Sequence, residues 1–574
     1  MEPITIDGQT LDLSNRLFFT AAEFIEFTRY NLYLTGKAGT GKTTFLKYLC
    51  KTTKKKMIVL APTALAAVNA NGQTIHSFFK IDPNHLFVPG DSWLEEKTNN
   101  NEPTIYERFR YNKNKIDLIN ELELIVIDEI SMVRCELLDV VDKLLRVYRK
   151  RNEVFGGVQM VFIGDMFQLP PVVKKDVKEI LDNFYESPYF FSSYSIKEAK
   201  PRYIELNKIY RQKEIEYINI LNRIRVGDMK SSDISYLNSR VTNNINNTDG
   251  YIILGTTGAF VDSENEKKLN QLGGEMVEYI AIKEGEFKGE PSPEHLQLKK
   301  GAQIIFVKND DNVEKDYYNG QIGVIEELNE DDIVISIGKQ GDGRTNISVS
   351  KATWENIEYS IEEETLPDGS KKRNVVANVI GRYTQFPVKL GWAITIHKSQ
   401  GQTFDKIIAD VSGAFADGQV YVALSRCTTL NGIILRNPIS MSDIKTSPAV
   451  IRFAKEVTPQ TLLQEDIDMG KANQLYKSAR LALKNGKSKE CFDYLNKAIA
   501  YRDDTNTELF KRFFTTWFDR LYSHAKRGDN LILRYQAKIA ELESLIVKEK
   551  EEKSKQEYHD DDLDEIFGLP KKTR

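Results

Sequence analysis

Lys42 and Thr43 close the run Gly36-Lys37-Ala38-Gly39-Thr40-Gly41-Lys42-Thr43, in which glycines bracket a short loop ahead of a lysine and a hydroxyl. With no side chain at the bracketing positions, successive backbone N–H groups can curl around phosphate oxygens. The lysine would reach the β- and γ-phosphates as a point charge, and the threonine hydroxyl would ligate Mg²⁺. Gly36, Gly39, Thr40, Gly41, Lys42, Thr43 and Thr44 are therefore the expected contacts to a nucleotide. A second group with suitable chemistry is Asp128-Glu129. The first carboxylate can share the Mg²⁺, and the second can orient and deprotonate an attacking water. Gln168 carries an amide able to bond both the γ-phosphate and that water, with an exposed loop amide as its alternative role.

Arg211 in ELNKIYRQ and Arg426 in GQVYVALSRCTTL each stand at the edge of an apolar segment. An arginine brought across a cleft to the γ-phosphate stabilises the transition state by about 10³–10⁵ in rate. Taken singly, either also suits a surface salt bridge. Between them, LGWAITIHKSQGQTFD offers Thr395, His397, Lys398, Ser399 and Gln400 as donors to the phosphates of a nucleic-acid strand, with Gly401 turning the chain towards the nucleotide.

These groups need rigid supports, and the surrounding patterns supply them. Asn31-Leu32-Tyr33-Leu34 ahead of the loop, LELIVIDEISMV from Leu122 and VQMVFIGDMFQLPPV from Val158 read as buried parallel strands, each ending where a functional residue begins. A helix is expected from Thr43, its N-terminal dipole adding to the phosphate site. From Gly320 to Ile380 the pattern changes to short alternating apolar segments joined by Gly341-Asp342-Gly343 and Pro367-Asp368-Gly369, which predicts a small β-barrel.

At 574 residues the chain is too long for one core, and about three or four domains are expected. No apolar run is long enough for a bilayer, and MEPITIDGQT lacks the features of a secretory leader, so an intracellular, cytoplasmic protein is expected. Cys50, Cys135, Cys427 and Cys491 lie far apart without metal-type spacing, which fits a reducing compartment. The net charge is -4, of which Asp560, Asp561, Asp562, Asp564 and Glu565 account for five negatives, leaving the remainder near +1. A surface for a polyanion must then be a local patch.

Taken in order, GKAGTGKT, APTALAAVNANGQTIHSFF, LIVIDEISMV, GGVQMVFIGDMFQLPPV, KIYRQ, WAITIHKSQGQTFD and YVALSRC resemble the motifs of the Pif family of superfamily-one DNA helicases, near relatives of the RecD helicases, over roughly residues 15–435. The resemblance implies an α/β fold of two RecA-like lobes that clasp ATP and Mg²⁺. It implies a motor moving 5′ to 3′ on single-stranded DNA and separating the duplex ahead, in DNA replication, repair, recombination or telomere maintenance. It implies a first lobe over 1–193 with a wedge insertion at about 82–114. The second lobe would be 194–308 with 386–443, and an SH3-like barrel would be inserted at 309–385. Pro62, Thr63, His76, Ser77 and Phe78 match positions along the family's DNA track, although Phe78 and Phe79 also suit a core. Lys371, Lys372 and Arg373 stand near the DNA backbone in this reading, or simply in solvent. The glutamine that commonly recognises adenine upstream of the loop is missing, and Gln9 or Asn15 could replace it.

Residues 444–530 are expected to be helical, with a tetratricopeptide-like pair around Asn485-Gly486, and 531–574 to form a charged helix and a disordered acidic tail. These parts could recruit a protein partner. The other classes open to such a chain are a translocase that separates strands only within a larger complex, and a non-catalytic DNA-binding scaffold. A chain monomeric in solution is expected.

Overall fold

The computed structural model describes residues 5–515 except 7–8, 84, 98–103, 243–249, 288, 311–315, 340–341, 366–370, 412–413 and 415, and beyond them residues 526, 533 and 537. The apolar runs Leu32–Gly36, Leu124–Ile127 and Gln159–Ile163 form strands with every residue buried, and Met57–Ala61 is buried in all but its first. Unbroken burial of this kind belongs to a sheet covered on both faces. The strands pair in parallel in the order 73–74, 57–61, 124–127, 159–163, 32–36, 202–206. The last strand, Arg202–Leu206, lies beyond residue 193, so the first lobe's sheet reaches past the boundary expected for it. The helix Lys42–Thr52 buries Phe45, Leu46 and Leu49 and starts directly from the phosphate loop.

A second parallel sheet has four strands in the order 393–395, 252–255, 407–409, 433–435. The fold is thus mixed α/β with two parallel-sheet cores. Open sheets of this kind bind ligands at the carboxyl ends of their strands. Here those ends carry Gly36, Asp128 and Gly164 in one sheet and Ile396 in the other.

Alternating segments between the halves of the second sheet do form antiparallel strands. Five of them order as 342–350, 332–339, 322–328, 303–306, 388–390, so this sheet draws in strands from outside 309–385. Ala352–Thr365 and Lys371–Gln385 make a long ribbon edged by Ile282–Gly285. The ribbon reaches the first lobe, where Val59 N–H donates to Tyr359 Oη at 3.1 Å and Arg373 pairs with Glu121 at 3.7 Å. Lys371 and Arg373 both meet Glu363, while the Lys372 side chain and the turn Pro367-Asp368-Gly369 lie outside the described residues.

The stretch from 82 carries structure of its own. His85 stacks on Trp93 with centroids 3.8 Å apart, the Arg108 guanidinium lies 4.2 Å from the Trp93 ring centroid, and Phe87, Ile105 and Phe109 are buried. Residues 444–459 pack with the main body: Phe453 stacks on Phe191 at 4.4 Å, and Thr458 exchanges hydrogen bonds with the Tyr203 backbone. A separate compact unit begins at Gln460 rather than at 444. In it the helices Gln460–Lys484 and Ser488–Ile499 turn at Gly486 (φ 72°) and close around Ala479, Ala482, Leu483, Cys491 and Leu495. The expected charged helix and acidic tail lie outside the described residues but for Leu533 and Ala537. Among the described residues no helix is long and apolar enough to cross a membrane.

Candidate nucleotide site and strand-facing segments

The phosphate loop turns through Gly39 (φ 81°) and Gly41 (φ 88°), conformations that strain residues bearing a Cβ. A Cβ on Gly39 would also lie 2.4 Å from Arg211 Cβ, so the glycine is what lets that arginine approach the loop. Lys42 Nζ curls back onto the carbonyls of Gly36 at 2.6 Å and Lys37 at 3.2 Å. Thr40 Oγ1 is spent internally on Lys37 O. Thr43 is exposed and Thr44 half-buried at the helix start.

A cavity of about 750 Å³ is lined by Gly39, Thr40, Gly41, Lys42, Thr43 and Thr44 on one side and by Arg211, Gly401 and Arg426 on the other, with Glu129 and Gln168 between. Its electrostatics suit a triphosphate. Burial pushes Lys42 down, and burial and then the neighbouring Arg426 push Arg211 down. Arg426, 1% exposed, is likewise lowered by burial. Arg211 is disfavoured by Arg426 and itself disfavours Lys42, so the cleft suits an anion beside it. The acids show the converse. Desolvation, then the Glu129 charge, raises the Asp128 carboxyl to about 7, and desolvation raises Glu129. Thr43 and Glu129 both line the cavity, with Asp128 next to Glu129 at the strand end, and a hydroxyl with carboxylates is a donor set that fits Mg²⁺.

Several candidates sit elsewhere than expected. Gln400 is tied to the nucleotide cavity: its Nε2 donates to Glu129 Oε2 and to Gln168 Oε1, both at 3.2 Å, and both acceptors belong to residues lining that cavity. Phe78 is 1% exposed and Phe79 fully buried, so neither ring is free to stack on bases. The short helix Ile75–Phe79 turns both inward, and Lys115 Nζ lies 3.2 Å over the Phe78 ring. Ser399 is fully buried and donates to Ile396 O. Ser77 and Lys398 are exposed, and Pro62, His76, Thr395 and His397 are half-exposed. Burial lowers His76 and His397, so both rings favour the neutral form. Thr63 is exposed, but its hydroxyl caps the helix Ala64–Asn69 by accepting the Ala66 N–H.

Other residues of the site escaped the sequence reading. Asp165 is buried and held by Arg225 Nη2 at 3.1 Å, whose other nitrogen reaches Glu205 at 3.1 Å. Gln212 Nε2 donates to the carbonyls of Ser425 and Cys427, keying the Arg211 segment into the Arg426 segment. Tyr421 Oη lies between Ala38 and Asp165. The one available signal was position: Asp165 directly follows a strand's carboxyl end. At the far end of the cavity stand Thr10, Leu11, Asp12, Asn15, Phe18, Phe19 and Tyr210. Asn15 caps Phe18 N–H and donates to Tyr210 Oη at 3.1 Å, whereas Gln9 does not line the cavity.

The class follows from which elements supply which groups. The first sheet carries the phosphate loop and both carboxylates, while Gln400 and Arg426 arrive from segments around the second, so the chemistry needs two lobes brought together. That is a two-lobed P-loop ATPase. Known proteins narrow this further. A family profile described as PIF1-like helicase matches residues 20–234. The ATP-dependent DNA helicase Pif1 of Campylobacter jejuni is 32% identical over 427 residues, covering 70% of this chain and 87% of that one. The chain spans 54% of the longer Candida albicans relative, at 30% identity. Among solved structures, Bacteroides Pif1 with ADP-AlF4 matches at 39% identity with a TM-score of 0.68, covering 78% of this chain and 97% of that one. The same protein bound to single-stranded DNA matches with a TM-score of 0.53. The chain belongs to the PIF1-like helicase family. It is an ATP-dependent DNA helicase.

Proposed function

We propose that this helicase moves 5′ to 3′ along single-stranded DNA and opens the duplex ahead of it. The observation that carries the mechanism is the shared cavity, to which one lobe brings Lys42, Glu129 and Gln168 and the other brings Gly401 and Arg426. In this reading Lys42 and the loop amides hold the ATP phosphates, and Thr43 and Asp128 would hold Mg²⁺, which would supply neutralising charge to those phosphates. Glu129, steadied by Gln400, orients the attacking water together with Gln168. Arg211 and Arg426 pull the lobes together on the γ-phosphate, and hydrolysis releases that grip. An unequal hold of the two lobes on the strand turns each closure into a step.

The strand would run past Pro62, Thr63, His76 and Ser77 on the first lobe and Thr395, His397 and Lys398 on the second. The aromatic cluster from His85 to Phe109 would serve as the wedge, the antiparallel sheets over 309–385 as the SH3-like insertion, and the helices from Gln460 as a tetratricopeptide-like docking unit for a protein partner. A relative crystallised with single-stranded DNA, and one whose structure is described as a basis for unwinding at forked duplex DNA, support DNA of both kinds as substrate. A DNA substrate supports a role inside the cell, in replication, repair or recombination. The test is unwinding of paired duplexes carrying a 5′ or a 3′ single-stranded tail with ATP and Mg²⁺. Release from the 5′-tailed substrate is expected. Release from the 3′-tailed substrate alone would reverse the polarity.

A further inference from the structure

Tyr421 lies in the helix Gln419–Ser425 that leads into Arg426, and it is 3% exposed. None of the chemistry above uses it. Its hydroxyl accepts the backbone N–H of Ala38 in the phosphate loop at 3.1 Å and donates to Asp165 Oδ2 at 3.4 Å. Asp165 is itself fixed: Oδ1 accepts from Arg225 and from Phe167 N–H, and Gln168 Nε2 lies 3.4 Å from Oδ2. Gln168 Oε1 accepts from Gln400, which also donates to Glu129. One hydrogen-bonded chain therefore runs Ala38, Tyr421, Asp165, Gln168, Gln400, Glu129, passing to the second lobe and back twice. The helix bearing Tyr421 also abuts the segment that carries Asp165 and Gln168, since a Cβ on Gly418 would lie 2.3 Å from Phe167 O.

We propose that Tyr421 is a positioning residue that couples the state of the phosphate loop to closure of the second lobe and thereby to strand affinity. A phenol offers a lone pair to the loop amide and a proton to the carboxylate at once, so any turn of the loop that redirects Ala38 N–H breaks the link. The change passes through Asp165 and Gln168 to Gln400, which is next but one to Lys398 on the strand-facing segment. The inference rests on the two-lobe cycle proposed above.

The test reads linkage rather than turnover. Single-stranded DNA affinity of the full chain is measured by fluorescence anisotropy with and without a non-hydrolysable ATP analogue and Mg²⁺, for wild type, Tyr421→Phe and Tyr217→Phe. Tyr217 is as buried and donates to Leu424 O at 2.6 Å in the same helix, so it controls for the loss of any buried hydroxyl there. In Tyr421→Phe the ratio of the two affinities is expected to move about 3–10-fold towards one, as loss of one hydrogen bond from the coupling predicts. Tyr217→Phe should keep the wild-type ratio. An unchanged ratio in Tyr421→Phe overturns the proposal, as does an equal change in Tyr217→Phe. Asp165→Asn keeps the phenol and weakens its acceptor; it should shift the ratio the same way, and no shift there counts against the proposal even if Tyr421→Phe fails to fold. A wild-type ratio of one would refute the two-lobe cycle itself, a different result from a wild-type ratio that Tyr421→Phe leaves intact.

Discussion

Replacing Gly418 by alanine adds one carbon where the first lobe leaves no room. Gly418 precedes the helix Gln419–Ser425 at φ 71° and ψ -3°. The new Cβ would lie 2.3 Å from Phe167 O and 2.6 Å from Gln168 O. Both obstacles are backbone, so the helix must retreat, and reaching an ordinary carbon–oxygen separation of about 3.3 Å takes roughly 1 Å. The left-handed conformation adds about 1–2 kcal/mol for a residue with a Cβ. With partial relaxation the total is about 2–3 kcal/mol, against about 5–15 kcal/mol for a typical domain, so the chain should still fold. Function should suffer more, because the helix delivers Arg426 and a misplacement of about 1 Å can cost roughly 10² in rate. The assay is ATP turnover at saturating oligonucleotide, alongside binding of a fluorescent ADP and thermal unfolding. Turnover is expected to fall about 10²-fold while ADP affinity stays within about threefold, since the phosphate loop belongs to the first lobe. Near-normal turnover in a folded variant, or ADP affinity falling in step with turnover, would refute the assignment of closure to this helix.

Phe78→Ala should destabilise the fold by about 3–5 kcal/mol in denaturant titrations, as a buried ring does. A ring stacked on bases would instead leave stability alone and weaken strand binding by about 1–3 kcal/mol. Gln400→Leu removes both bonds that hold Glu129 and Gln168 in register, so turnover should drop by about 10–10² with nucleotide-free strand affinity unchanged; the reverse pattern would return Gln400 to the DNA track. Lys115 is 9% exposed, and burial lowers its ammonium to about 7 despite Glu358 nearby. Because that lies below the unfolded value of about 10.4, the folded chain binds fewer protons between the two, and stability should rise with pH across about 7 to 10. Lys115→Met should flatten that rise and stabilise the fold at pH 7 by about 1–3 kcal/mol, measured by denaturant midpoints along the pH series; an unchanged slope would contradict it.

What could be read from the chain alone was what local physics dictates. Glycines at positive φ, a lysine and a hydroxyl define the phosphate loop wherever it is placed, and unbroken apolar runs before Gly36, Asp128 and Gly164 specify buried parallel strands, since burial on both faces leaves no alternation. Arg211 and Arg426 were legible as candidates because each closes an apolar segment. The strand Arg202–Leu206 was not assigned to the first sheet, as nothing in it distinguishes one parallel edge from another.

Tertiary packing decided the rest. Gln400 and Ser399 are adjacent polar residues in one donor-rich run, yet one reaches Glu129 and the other is sealed in a turn. Of Phe78 and Phe79 the sequence favoured at least one for the core without saying which, and the inward face of a five-residue helix buries both. Ala38 and Tyr421, 383 positions apart, share a hydrogen bond that no periodicity announces. Short-range sterics and apolar patterning are written into neighbouring residues, whereas the pairing of polar groups across a cleft depends on where two separately folded sheets bring their loops.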